Sequence, residues 1–116
     1  MSNISVYCFN VRGLRDPAKR LALMEVITDE NVNVCFLQET YLTAEVELKL
    51  CDKWDYYNSY GSNHSKGVSI LIKKTSNLTV LDKQSDKEGR FILLNVKTGN
   101  KVITLVNMYA PNDEHS

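Results

Sequence analysis

No stretch of this sequence approaches the roughly 18 consecutive apolar residues that a membrane-crossing helix requires, and no low-complexity tract or internal repeat interrupts it. Neither sign of charge is in excess. Fourteen basic and fourteen acidic residues cancel, so no global field draws the chain to polyanions, and any contact with nucleic acid has to come from a local patch. The amino terminus carries no basic segment ahead of its first short apolar run, which excludes the pattern of a secretory signal. Cysteine is scarce and odd in number: Cys8, Cys35 and Cys51 sit in apolar segments without metal-ligand spacing. They read as packed, reduced thiols. The expectation is an intracellular protein, nuclear or cytoplasmic, neither secreted nor tied to a membrane.

What is present is the composition of one folded unit. Hydrophobic residues make up 43% and charged residues 24% of the 116 residues, enough for one core that hides roughly two thirds of the surface an unfolded chain exposes. Residues 4–9 are apolar on both faces, with β-branched and aromatic members, and are expected to form a central strand. After a turn at 10–13, Asp16-Pro17 starts a helix, with Asp as N-cap and Pro at the first helical position, where a missing N–H costs nothing. Ala22, Leu23, Val26 and Ile27 form its packing face, broadened by Leu21 and Met24, and it ends near Asp29. Residues 32–37 make a second buried strand, and the order strand, helix, strand predicts a parallel pair with a right-handed crossover. Thr43 is expected to cap a short helix running to Cys51. Beyond Trp54 the pattern turns to strands at 56–60, 68–72, 91–96 and 102–109, with a weaker one at 78–81. Thr98-Gly99-Asn100 is a hairpin turn between the last two. Tyr56, Tyr57 and Tyr60 are expected to pack between layers, and Lys19-Arg20 and Lys73-Lys74 to lie on solvated faces.

Three of these strands end in polar groups. Phe36-Leu37-Gln38-Glu39-Thr40 runs apolar and then presents a carboxylate, the first strand ends in Asn10, and the last ends in Asn107 and Tyr109. An acid at the carboxyl end of a buried strand is a common way to hold a metal or a proton shuttle at the rim of a sheet. A parallel pairing of the first two strands sets Asn10 and Glu39 side by side, and three polar strand ends predict one shared site. The residue types alone leave other readings open: Glu39 as a solvated acid, Asn10 and Asn112 as turn formers, Tyr109 as a strand-favouring residue on a sheet face.

Four stretches taken together, Phe9-Asn10-Val11-Arg12-Gly13-Leu14, Leu37-Gln38-Glu39-Thr40, Gly67-Val68-Ser69-Ile70-Leu71-Ile72 and Asn107-Met108-Tyr109-Ala110-Pro111-Asn112, resemble the endonuclease/exonuclease/phosphatase superfamily. The resemblance is closest to the apurinic-like endonuclease domain of LINE-type (non-LTR) retrotransposons, and Glu88-Gly89-Arg90 also fits it. It implies an α/β (α+β) fold, the amino-terminal half of a four-layer αββα sandwich with a mixed sheet, with residues 1–116 as a partial domain whose carboxyl-terminal half is absent. The implied activity is phosphodiester hydrolysis on DNA with Mg²⁺ or Mn²⁺. In that resemblance Asn10 and Glu39 hold the metal and orient the phosphate, Tyr109 and Asn112 contact the phosphate, Asn10, Glu39 and Tyr109 form the catalytic set, and Arg90 supports it. Arg12 stands where relatives place Asp or Asn and is given no ligand role. One Glu beside an Asn amide oxygen suits Mg²⁺, which prefers oxygen ligands and takes few carboxylates. Tyr109 can donate to a non-bridging phosphate oxygen.

The family's later Gly-Asp-x-Asn and Ser-Asp-His elements, which supply the water-activating aspartate and the phosphate-stabilising histidine, have no counterpart. Asp113-Glu114-His115 follows the tyrosine motif without a preceding strand and matches only by chance; His64, with no acid nearby in sequence, is expected at the surface. The expectation is therefore a form with little or no activity alone, binding its metal weakly if at all. A half-sandwich is also expected to expose its inner apolar face and to pair with a second copy or with a complementary carboxyl-terminal half. Two other functions stay open: a non-enzymatic nucleic-acid-binding or assembly protein that reuses the half-fold, and a lipid or inositol-phosphate phosphatase.

Overall fold

The computed structural model describes residues 4–29, 31–44, 52–62 and 65–110. Their order is β1 (Val6–Asn10), α1 (Pro17–Asp29), β2 (Val34–Gln38), β3 (Trp54–Ser59), β4 (Val68–Lys73), a 3-10 turn (Lys74–Ser76), β5 (Leu78–Ser85), β6 (Phe91–Thr98) and β7 (Lys101–Met108). They build two sheets. The first, in the order β1-β2-β4-β3, is mixed: β1 and β2 run parallel, from Val6 opposite Val34 to Asn10 opposite Gln38, and β4 is antiparallel to both β2 and β3. The second is an antiparallel β5-β6-β7 sheet.

Alternation along the strands assigns their two faces. Val34, Val68, Ile70 and Ile72 of the mixed sheet meet Ile92, Leu94, Val96 and Leu105 of the antiparallel sheet. Cys35, Leu37 and Leu71, one residue out of phase, belong to a second core with Leu23 and Ile27 of α1 and with Leu14, Val32, Leu42 and Trp54. The layers are thus helix, mixed sheet and antiparallel sheet, an α/β sandwich. Tyr56 and Tyr60 border one core and Tyr57 the other, as expected of aromatic residues between layers. No helix among the described residues is long and apolar enough to cross a membrane.

Asp16 caps α1 as expected, its Oδ1 accepting from Ala18 N at 2.9 Å. Of the expected packing face only Leu23 and Ile27 are buried. Ala22 and Val26 instead line an open crevice of about 260 Å³ with Phe9 and Val11, because α1 overhangs β1 at the edge of the sheet. Lys19 and Arg20 are not simply solvated. Lys19 Nζ donates to Arg12 O at 2.6 Å, and Arg20 Nε donates to Leu14 O, so both side chains hold the loop between β1 and α1 onto the helix. Lys73 lies over the Trp54 ring, 5.4 Å from its centroid.

Two expectations about apolar surface are corrected. The strand expected to be central, β1, has a neighbour on one side only among the described residues, and Val6, Tyr7 and Cys8 are exposed. Its apolar composition sits at an edge. The inner face expected to be bare is covered, because the antiparallel sheet packs on the mixed one. The exposed apolar residues of the second sheet are instead Val102, Val106 and Met108 of β7 and Leu81 of β5, the last at a bulge between Val80 and Asp82. β5 also runs four residues beyond the expected 78–81, through the polar Asp82-Lys83-Gln84-Ser85, as an edge strand with both faces wet tolerates. The hairpin is as expected, with Gly99 at φ 63 between Thr98 and its partner Lys101. Of the helix expected over 43–51, residues 45–51 fall outside the described residues, as do His64, Asn112 and residues 113–115, and 43–44 are not helical.

Candidate functional site

The parallel pairing of β1 and β2 sends both chains out at one rim, and their bonding continues past the strands. Val11 N donates to Gln38 O at 3.0 Å, Gly13 N to Glu39 O at 2.7 Å and Leu14 N to Thr40 O at 2.8 Å. From the other side Thr40 N donates to Gly67 O at 3.0 Å and Tyr41 N to Lys66 O at 3.1 Å. The backbone around Glu39 is therefore fixed by bonds to two distant segments. It needs to be, since Glu39 (φ 54), Tyr41 (φ 56), Arg12 (φ 48) and Lys66 (φ 63) are all left-handed. That conformation costs a non-glycine residue roughly 1–2 kcal/mol, and strain of this kind gathers where function over-determines the backbone.

At this rim Asn10 and Glu39 touch. Asn10 Nδ2 donates to Glu39 Oε2, while Arg12 N donates to Asn10 Oδ1 at 3.2 Å and steadies the amide. Tyr41 Oη donates to Glu39 Oε1 at 3.0 Å. Each carboxylate oxygen thus has one donor and keeps lone-pair capacity for another partner. The Tyr41 phenol is pushed above its ordinary pKa by its hydrogen bond to Glu39 first, then by burial and the charges of Glu39 and Tyr109, with Arg12 opposing. It remains a donor through neutral pH, and Tyr109 and Arg12 share its electrostatic neighbourhood. One carboxylate and one amide open to solvent form a set that a hard divalent cation accepts when water and phosphate oxygens complete its shell. Among the described residues no three His, Cys, Asp or Glu side chains converge, so a cation here would keep much of its water.

Tyr109 N donates to Arg90 O at 2.6 Å, which pins the end of β7 to the start of β6. The Tyr109 ring borders the core between the sheets. The Arg90 guanidinium is engaged by two acids, with Nε 2.7 Å from Asp86 Oδ2 and Nη2 2.9 Å from Glu88 Oε2. The hydrogen bond from Arg90 holds the Asp86 carboxyl below the usual range, against a smaller effect of burial. Of the residues named from sequence, the structure brings Asn10 and Glu39 into contact, places Tyr109 at the border of the core between the sheets, and gives Arg90 a backbone link to Tyr109 with its side chain on Asp86 and Glu88. Asn112 lies outside the described residues.

Asn107, expected to offer its amide to the same site, is buried at 2% exposure and does something else. Its Nδ2 donates to Leu37 O and to Ser69 O, both at 2.9 Å, and its Oδ1 accepts from Gln38 Nε2 at 3.3 Å. Gln38 also donates to Met108 O at 2.7 Å. This amide pair joins the antiparallel sheet to the mixed sheet one residue before Glu39. Glycine is needed at two nearby points: a Cβ on Gly67 (φ 87) would collide with Thr40 Oγ1, and one on Gly13 (φ 100) would stand 2.8 Å from Tyr41 Cδ2. Sequence reasoning missed Tyr41 and the Gln38–Asn107 clamp. Two successive polar residues before Thr40 were a signal for the clamp; nothing in the residue types marks Glu39 and Tyr41 as left-handed.

The profile of the Endonuclease/Exonuclease/phosphatase family matches residues 7–114. A Xenopus laevis protein described as "Transposon TX1 uncharacterized 149 kDa protein" is 28% identical over 110 residues, which cover 93% of this chain and 8% of that protein. The chain therefore spans less than a tenth of that relative's length.

Proposed function

Because this chain belongs to the endonuclease/exonuclease/phosphatase family, we propose that the rim at Asn10 and Glu39 is the metal- and phosphate-holding part of a phosphodiester-hydrolysing site that acts on DNA, of retrotransposon origin. The observation that carries this reading is the contact between Asn10 and Glu39 at the carboxyl ends of two parallel strands. When bound, Mg²⁺ or Mn²⁺ would supply neutralisation of the charge that develops on the phosphate. Glu39 would hold the ion through the lone pairs that Asn10 and Tyr41 leave free, and Asn10 would complete the pair of oxygen donors by turning its amide from Arg12 N. Tyr41 keeps the carboxylate oriented. Tyr109 donates to a non-bridging phosphate oxygen and Asn112 contacts the same group. Arg90 supports the rim through its bond from Tyr109 N and comes to phosphate only by leaving Asp86 or Glu88. None of these residues is suited to activate water, so we expect hydrolysis by these residues alone to be slow.

The test has two arms. Mn²⁺ binding, followed by the electron paramagnetic resonance of the free ion, is expected for the parent chain and lost in Glu39→Ala. Nicking of supercoiled plasmid in Mg²⁺, however slow, is expected to vanish in EDTA and in Glu39→Ala. Equal Mn²⁺ binding by parent and variant, or nicking indifferent to both treatments, would overturn the assignment.

A further inference from the structure

Glu39 and Tyr109, the metal-holding and phosphate-contacting residues of the proposed site, follow strands of different sheets, β2 and β7. A side chain crosses between those two strand ends. Gln38, the residue before Glu39, donates from Nε2 to Met108 O at 2.7 Å and to Asn107 Oδ1 at 3.3 Å. Met108 O belongs to the same planar peptide group as Tyr109 N, and Tyr109 N donates to Arg90 O at 2.6 Å. That peptide is therefore held at both ends, across the sheets by Gln38 and within its own sheet by Arg90. The Gln38 backbone serves the third polar strand end, since Gln38 lies opposite Asn10 in the parallel pairing and its carbonyl accepts from Val11 N at 3.0 Å.

Stability does not call for this link. Asn107 already fastens the two sheets with buried bonds to Leu37 O and Ser69 O, whereas Gln38 is half-buried and its bond to Met108 O is exposed. Water can replace a donor lost there, so the bond adds little to folding. What it adds is geometry: the amide presents two N–H groups to two acceptors, and an ionised carboxylate at the same place has a proton for neither. We propose that Gln38 is a positioning residue of the site, which fixes the Met108–Tyr109 peptide against the end of β2 so that one phosphate meets both the metal at Glu39 and the Tyr109 phenol. The proposal rests on the reading of the rim as a metal- and phosphate-holding site. Gln38 touches neither group and acts through the Tyr109 backbone, where a displacement of about 1 Å is enough to spoil such an arrangement.

The experiment uses Gln38→Met, which keeps the length of the side chain and removes both donors, with Gln38→Ala as a second variant. Mn²⁺ is titrated into each chain with and without a thymidine dinucleotide, whose one phosphate is a diester, and the free ion is read by electron paramagnetic resonance. A phosphate shared between the ion and Tyr109 raises the affinity for Mn²⁺, a coupling commonly of about 5- to 150-fold, and the parent chain is expected to show this gain. Both Gln38 variants are expected to bind Mn²⁺ alone as the parent does. Tyr109→Phe should cut the gain by about fivefold, the share of one hydrogen bond, and Gln38→Met by a similar factor. The double variant should lose no more than Tyr109→Phe alone, because both changes act on one contact. Gln38 variants that keep the full gain, that add their loss to that of Tyr109→Phe, or that bind Mn²⁺ alone more weakly would remove the positioning role and leave the rim reading intact. A parent chain that binds no Mn²⁺, or binds it without any gain, would instead defeat the reading of the rim, and the proposal with it.

Discussion

Replacing Asn107 with alanine removes two donated hydrogen bonds at 2.9 Å from a side chain that is 2% exposed. It leaves Leu37 O and Ser69 O without these donors at a buried position. A buried polar group stripped of its partner costs about 1–3 kcal/mol, so the pair sets an expected loss on the order of 3 kcal/mol. With a urea dependence of about 1–3 kcal/mol per molar for a small domain, the unfolding midpoint should fall by roughly 1–3 M. Gln38→Ala is a graded control, since its partners Asn107 Oδ1 and Met108 O lie where Gln38 is only half-buried and water can substitute; its expected loss is about 1 kcal/mol or less. Asn107→Asp sharpens the test. A carboxylate there would face two carbonyl oxygens without solvent, which raises its pKa; only the protonated form can donate, and to one carbonyl only. A raised folded pKa means stability present below the unfolded value and lost as pH rises through the folded one. The deficit of Asn107→Asp relative to the parent should therefore shrink as urea titrations move from pH 7 to pH 5. An Asn107→Ala midpoint indistinguishable from the parent, or an Asn107→Asp deficit that ignores pH, would refute the clamp.

Tyr41→Phe is expected to weaken Mn²⁺ binding by about tenfold, as for other groups that orient a metal ligand, while the urea midpoint stays put; an unchanged affinity would show that the Tyr41 hydroxyl does not position Glu39. Gly67→Ala should lower stability by more than Gly99→Ala. Both force a left-handed Cβ at roughly 1–2 kcal/mol, but only at Gly67 does that Cβ meet Thr40 Oγ1, whereas nothing lies within 4 Å of Gly99. Equal midpoints for the two variants would contradict the packing at Gly67. Burial pushes the Cys35 thiol up to about 12, with the neighbouring Cys8 adding to the effect. Peptide mapping after iodoacetamide at pH 8 should find Cys8, which is exposed, modified and Cys35 spared until urea is added. The folded chain keeps the Cys35 proton that the unfolded chain loses near 9.0, so stability should fall as pH rises from there toward 12, and less so in Cys35→Ala.

Strong local signals carried the sequence reading a long way. Asp16-Pro17 opened a helix because capping and the fixed proline φ are properties of two adjacent residues, and Thr98-Gly99-Asn100 made a hairpin for the same reason. The contact of Asn10 with Glu39 followed from a parallel pairing, which needs only the order of two apolar strands and the helix between them. Edge and centre were not legible in this way. Apolar composition reports how much cover a strand can use, while long-range pairing decides which strands provide it, and so β1 was misplaced as central. The polar half of β5 escaped because an edge strand needs no buried face. At the site, Glu39 and Tyr41 adopt left-handed backbone that glycine would have announced, and the phenol reaches the carboxylate only because both do. Asn107 invites a site reading because it stands at the polar end of the last strand; alternation along β7 turns it inward.

The hairpin at Gly99 stands at the end of β6 away from Phe91. The eight residues of β6 begin at Phe91 and end just before Gly99, about 25 Å along the strand at the usual rise, and open space surrounds the tip of the hairpin. A fluorophore or surface tether attached there would sit at the end of β6 opposite Arg90 and the backbone bond it receives from Tyr109 N.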